Sequence, residues 1–239
     1  MKKLLSYITQ SQELFLKHEF FSCLQEIEAE VVFKTFEKHL SFWVVSFQDL
    51  LGLVSSRIED PDLKKIALHH LYEDRGHHIW FIDDLKKQGL LRTDEFASGV
   101  FNQCSLVSRN YAYQIISEIY RNKEEALLVA LLLTVENPGH VFFEEMSHYT
   151  RRKGLDKKLK YFTSFHLDVE KSHAVFESEM QENLQARELE TVTYQEGVAM
   201  VDRVNKVFVD YFNFLSLQMK NQTLSQKAKG NAPSQTLQT

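Results

Sequence analysis

The sequence predicts an all-α protein, a multihelical bundle of about seven helices, and three observations carry that expectation. Gly and Pro are scarce, with 8 and 3 copies in 239 residues, so the chain lacks the breakers that a sheet with many turns requires. Apolar residues recur at helical spacing over long windows, several of which exceed the usual globular helix length. Hydrophobic residues make up 44% and charged residues 26% of the chain, a globular balance with enough apolar side chains to bury one sizeable core. A single helical domain over residues 1–220 is therefore expected.

In chain order the amphipathic windows fall at 10–29, 33–58, 62–88, 103–121, 124–153, 159–184 and 192–219. The first carries Phe20-Phe21 on its apolar face. The third is opened by Asp60-Pro61-Asp62, where a proline near the first turn costs little because its missing N–H has no helical partner there, and is closed by Gly89. The fifth contains an apolar run from Leu127 to Val135, then Phe142-Phe143, and is closed by Gly154. The last is followed by residues 221–239, which are polar, lack aromatics and read as a disordered C-terminal tail. Phe reaches 18 copies. Core filling accounts for most of them, since aromatics bury much area, and leaves a minority to line a hydrophobic pocket.

Composition also narrows the function classes. Formal charge is -5 with acids and bases mixed along the chain, without the basic stripe that would neutralise a phosphate backbone, so no nucleic-acid partner is expected. Met1-Lys2-Lys3-Leu4-Leu5 begins like a signal peptide, but polar residues from Gln10 onward interrupt the apolar stretch. No run approaches the ~20 apolar residues of a membrane helix, so no membrane partner is expected. Cys23 and Cys104 are the only cysteines, too few for a disulfide framework or a cysteine-rich metal site, and a reducing, cytoplasmic location suits the chain.

Three segments carry residues suited to metal chemistry. In the sixth window, His166, Glu170 and His173 recur at four and three residues and return to one side of a helix. Imidazole nitrogen suits iron, zinc or copper, and a carboxylate balances charge and can bridge two ions. The third window holds His69-His70-Leu71-Tyr72-Glu73-Asp74-Arg75-Gly76-His77-His78. There Asp74 lies three residues and Glu73 four residues before His77, so either acid can share its face; a solvated histidine-rich surface is the competing explanation. Glu136 follows the apolar run of the fifth window and is expected to be deeply buried, at a cost of several kcal/mol unless paired, protonated or metal-bound. Pro138 offers a structural alternative, in which Glu136 marks a helix kink. Helical bundles build dinuclear sites from such inward-facing residues. Three carboxylates would supply -3 against +4 for two ferrous ions. The other dinuclear pattern, paired Glu-x-x-His motifs with two further Glu, is absent from the sequence.

These motifs and their order resemble the heme-oxygenase-like diiron oxidases and oxygenases, relatives of the TenA thiaminase and PqqC proteins, over about residues 62–184. In that family one helix gives an acid followed by His, a later helix gives Glu, and a third gives His-x3-Asp/Glu-x2-His. The resemblance implies a heme-oxygenase-like bundle with metal ligands Asp74, His77, Glu136, His166, Glu170 and His173. Glu73 stands as a rival to Asp74, and Glu170 occupies a position where Asp is common. It further implies two Fe(II) ions, O2 as co-substrate, a small organic substrate of amphiphilic or amino-acid-like character, and a homodimer. The alternative within the fold is a cofactor-free or hydrolytic enzyme, or a non-catalytic binding protein. The TenA hydrolases use a nucleophilic Cys, and neither Cys23 nor Cys104 lies in the metal-bearing windows. Heme oxygenases hold heme through an early His, for which His18 lacks a supporting pattern.

Overall fold

The computed structural model describes residues 1–91, 96–172 and 182–230, and among them the secondary structure is helical, with no strand. In chain order the helices are α1 (Lys2–Ser11), α2 (Glu13–Leu16), α3 (Glu19–Glu26), α4 (Ala29–His39), α5 (Ser41–Ser56), α6 (Pro61–Glu73), α7 (His77–Lys87), α8 (Phe96–Phe101), α9 (Leu106–Arg121), α10 (Glu125–Arg152), α11 (Ser164–Ser172) and α12 (Thr191–Gly230). A 3₁₀ turn at Gln103–Ser105 leads into α9, and residues 182–186 are also helical.

The helices are shorter and more numerous than the amphipathic windows, and the breaks have local causes. The chain is already helical from Lys2, where Leu4, Leu5 and Ile8 are buried, so the signal-like start forms a core-facing helix. The first window then divides because His18 caps α3: its Nδ1 accepts the Phe20 N–H at 3.1 Å. The second divides at Leu40, next to Ser41, whose hydroxyl donates to the Glu37 carbonyl at 2.5 Å. Such back-bonding to the carbonyl four residues earlier bends a helix. The third divides at Gly76, whose φ of +95° is open to glycine and strained for other residues. Asp60 caps α6 by accepting from Asp62 and Leu63, with Pro61 at the first turn. At its far end α12 continues past Met219 to Gly230, because no Gly or Pro interrupts 198–229; residues 231–239 lie outside the described residues.

Helix α10 organises the packing, with α1, α3, α6, α11 and α12 all against it. It corrects the expectation that no segment is apolar enough to span a bilayer: by length and hydropathy α10 qualifies, with a window of mean hydropathy 1.5 that is 61% buried. Its apolarity is spread around the helix because neighbours cover several of its faces. Two aromatic groups fill the core beside it. Phe20 stacks on Phe212 at 4.9 Å between ring centroids, while Phe162 stacks on Phe36 at 5.6 Å. Phe142 bridges them, 5.6 Å from Phe36 and 6.5 Å from Phe212.

At the end of α4, His39 is 3% exposed and its Nδ1 lies 3.1 Å from the Ser108 hydroxyl. Burial, aided by Lys38, pushes its pKa down to about 4. The unfolded chain would take up this proton near pH 6.5, whereas the folded chain would not until about pH 4. Stability should therefore fall as pH drops through that window, by up to about 3 kcal/mol, and this loss should level off below it. Urea unfolding near neutral pH and near pH 4 should show the difference in wild type and a smaller one in His39→Gln. Equal losses in both proteins would assign the acid sensitivity to other groups.

Candidate metal centre

The left-handed Gly76 turns the chain between α6 and α7, and this turn, not a shared helix face, brings Asp74 and His77 together. The sequence expectation of one continuous helix is corrected here. The His77 amide bonds to the Asp74 carbonyl at 3.1 Å, and His77 Nδ1 lies 3.1 Å from Asp74 Oδ1. The second carboxylate oxygen of Asp74 accepts from Gln48 Nε2 at 2.7 Å, which fixes the acid from the side of α5. Glu73, the rival acid, instead faces His69 at 2.8 Å across one turn of α6.

His166 reaches the same point from α11. Its Nε2 lies 3.1 Å from His77 Nδ1, and its Nδ1 lies 2.9 Å from the Tyr161 carbonyl. A carbonyl oxygen can only accept, so Nδ1 of His166 carries a proton, and in the neutral form of the ring Nε2 offers its lone pair. His77 Nδ1–H is then shared between His166 Nε2 and Asp74 Oδ1. Aromatic rings pack around both imidazoles: Trp80 stacks on His77 at 4.6 Å, and Phe143 lies 4.0 Å from His166. His77 and His166 are 6% and 1% exposed, so bulk water is largely excluded from them.

Glu136 is not deeply buried as expected; its side chain is 40% exposed. The cause is a cavity of about 310 Å³ onto which it opens, together with His70, Asp74 and His77. Trp43, Phe47, Leu51, Phe142, Phe208 and Phe212 form much of the apolar wall. Glu136 Oε1 lies 2.6 Å from His70 Nδ1, so its carboxylate is answered by an imidazole across the α6–α10 contact. Pro138 lies within α10, but this pairing gives Glu136 a partner that the kink explanation does not require.

Beneath the centre, Asp84 is 0% exposed and accepts backbone N–H bonds from Lys160, Tyr161 and Phe162. Burial raises its carboxyl pKa, opposed by the Lys160 amide, the Lys87 ammonium and the other two amides.

Of the six positions singled out in the sequence, Asp74, His77 and His166 meet directly, and Glu136 shares the cavity with the first two. Glu170 lies one turn beyond His166 in the backbone of α11, and its side chain is outside the described residues, as is all of His173. Sequence reasoning missed Gln48 and the pairing role of His70. Gln48 had a signal, being an amide amid the apolar residues of Ser41–Ser56. His70 had only a place within a histidine-rich run. His18 is engaged as a helix cap. Cys23 lies in α3, with its thiol pKa raised by burial, a poor setting for a nucleophile.

The donor chemistry fits iron. Imidazole nitrogen with carboxylate oxygen is a combination that first-row divalent ions accept, and 3.1 Å between donors resembles the spacing of adjacent ligands with metal bonds of about 2.1 Å. Among the described residues, no group of three or more His, Cys, Asp or Glu is placed so that it could hold a metal ion as it stands. The nitrogen and oxygen donors are hydrogen-bonded to one another instead.

No curated protein matches the chain. The profile of a family described as iron-containing redox enzymes matches residues 34–205, a span that runs from α4 into α12 and contains all six predicted ligand positions. With a heme-oxygenase-like helical fold and that match over most of its length, the chain belongs to the family of iron-containing redox enzymes.

Proposed function

We propose that the protein is a non-heme diiron oxidase or oxygenase that activates O2 against a small organic substrate held in the apolar cavity. In this reading Asp74, His77, Glu136, His166, Glu170 and His173 hold two iron ions. The observation that carries it is the string Asp74–His77–His166, in which 3.1 Å contacts gather a carboxylate and two imidazoles beside a cavity with aromatic walls. Two ferrous ions would supply two electrons and open coordination positions for O2, and the organic substrate would supply the other two electrons of its reduction.

The chain's own residues have separable tasks. The Tyr161 carbonyl holds the His166 proton on Nδ1 and leaves Nε2 for a metal. Gln48 occupies one oxygen of Asp74 and orients the other towards His77. His70 keeps a proton at Nδ1 against Glu136, so that the carboxylate is compensated before metal arrives. Trp80 and Phe143 cover the imidazoles, and the aromatic wall binds the apolar part of the substrate while excluding water. Asp74 and Glu136 face imidazoles, whereas a decayed pocket would be expected to tie them to Lys or Arg. That favours a working site over a non-catalytic relative.

Metal-free protein loaded anaerobically with Fe(II) and dialysed should retain two iron ions per chain without a heme absorption band. Oxygen uptake on aeration should depend on that iron. Retention of one heme per chain, or iron binding that a His77→Ala/His166→Ala double variant matches, would overturn the proposal.

A further inference from the structure

We propose that Asp84 is a positioning residue that sets the tautomer of His166 through a single peptide unit. The carboxylate lies on α7, with Oδ2 2.9 Å from Lys160 N, 2.8 Å from Tyr161 N and 3.4 Å from Phe162 N, while Oδ1 lies 2.9 Å from Lys160 N. The Phe162 N–H and the Tyr161 carbonyl belong to one peptide plane, and in a trans peptide they point in opposite directions. One end of that plane therefore faces Asp84, and the other accepts the His166 Nδ1–H at 2.9 Å.

Two consequences follow. The buried carboxylate fixes the direction of the Tyr161 carbonyl, so that Nδ1, and not Nε2, is the nitrogen of His166 that donates. It also polarises the peptide, because hydrogen bonds in series strengthen one another in a low-dielectric interior, and this raises the basicity of Nε2. A plain loop staple needs only neutral acceptors. A fully buried carboxylate carries a desolvation cost, offset here by three backbone N–H bonds and by the Lys87 ammonium 3.5 Å from Oδ1, and through the Phe162 N–H its charge reaches the peptide whose far side is the Tyr161 carbonyl. That Nε2 serves as an iron ligand rests on the function proposed above; the tautomer itself does not.

The test uses ¹⁵N-labelled, metal-free full-length protein, in which long-range ¹H–¹⁵N correlation distinguishes protonated from unprotonated ring nitrogens. Wild-type His166 should show a protonated Nδ1 and an unprotonated Nε2. In Asp84→Asn, a mixture of tautomers should appear, and Fe(II) affinity should fall by about 10-fold or more. Leu85→Ala, a fully buried neighbour on α7, serves as the stability control: it should lower Tm without moving the tautomer. Asp84→Ser is the second variant if Asp84→Asn does not fold, and it should produce the same mixture.

A wild-type His166 protonated on Nε2 overturns the proposal without any variant. So does a folded Asp84→Asn or Asp84→Ser with the wild-type tautomer, or a Leu85→Ala variant with the same mixture. If Asp84→Asn shifts the tautomer but wild type binds no iron, the positioning role stands and the diiron reading falls.

Discussion

Replacing His77 by alanine is expected to lower Fe(II) affinity by at least ~100-fold, equivalent to about 2.7 kcal/mol, and to abolish iron-dependent oxygen uptake. His77 is where the proposed site's contacts join: its Nδ1 lies 3.1 Å from both Asp74 Oδ1 and His166 Nε2. Truncation removes one donor and leaves two others without the proton they share. The structural cost should be smaller than the functional one. The ring is 6% exposed and stacks on Trp80, so its loss should destabilise the fold by roughly 1–3 kcal/mol, a fall in Tm of several degrees for a chain this long. Metal analysis after anaerobic dialysis, with thermal melting of the same samples, separates the two effects. A folded variant that keeps full iron stoichiometry would show that this imidazole is not a ligand.

The parts of this site legible in the sequence are those written in local chemistry. Asp60-Pro61 and the glycines at 89 and 154 mark helix ends, and Gly89 and Gly154 adopt left-handed φ of +69°, because capping depends on a few neighbouring residues. Glu136 could be picked out as an acid that follows an apolar run, and His166 by its helical spacing to Glu170 and His173. The breaks at Leu40 and Gly76 were hidden for a different reason. An amphipathic period continues across a bend when both halves face one core, so periodicity alone does not register a Ser41 back-bond or a left-handed glycine.

Glu136 lies shallower than its apolar neighbours in sequence predict, because a cavity can open at one level of a buried helix. Both Glu73 and Asp74 are spaced to reach His77, and both line the cavity. The structure places Glu73 against His69 and Asp74 against His77. Gln48 and Asp84 act from helices remote in sequence, across contacts that no local pattern specifies.

Phe142→Ala should lower stability by about 3 kcal/mol or more in urea unfolding. The residue is adjacent to Phe143, yet the two have different neighbours. Phe143 covers His166 at 4.0 Å, while Phe142 stacks near Phe20 and Phe212 and meets Phe36. Deleting its ring removes these aromatic contacts, each worth roughly 0.5–1.5 kcal/mol beyond area burial, and leaves space that the surrounding rings can only partly fill. One side of Phe142 already lines the cavity of about 310 Å³, so less packing is lost there than at a fully enclosed phenylalanine, and the low end of the usual range of about 3–5 kcal/mol is expected. Iron stoichiometry should stay unchanged, because Phe142 is not among the proposed ligands, and the enlarged cavity should admit bulkier apolar ligands. A loss below about 1 kcal/mol would mean that the ring is not packed as the core described here requires. Loss of iron with retained stability would instead mean that this wall of the cavity supports the metal centre directly.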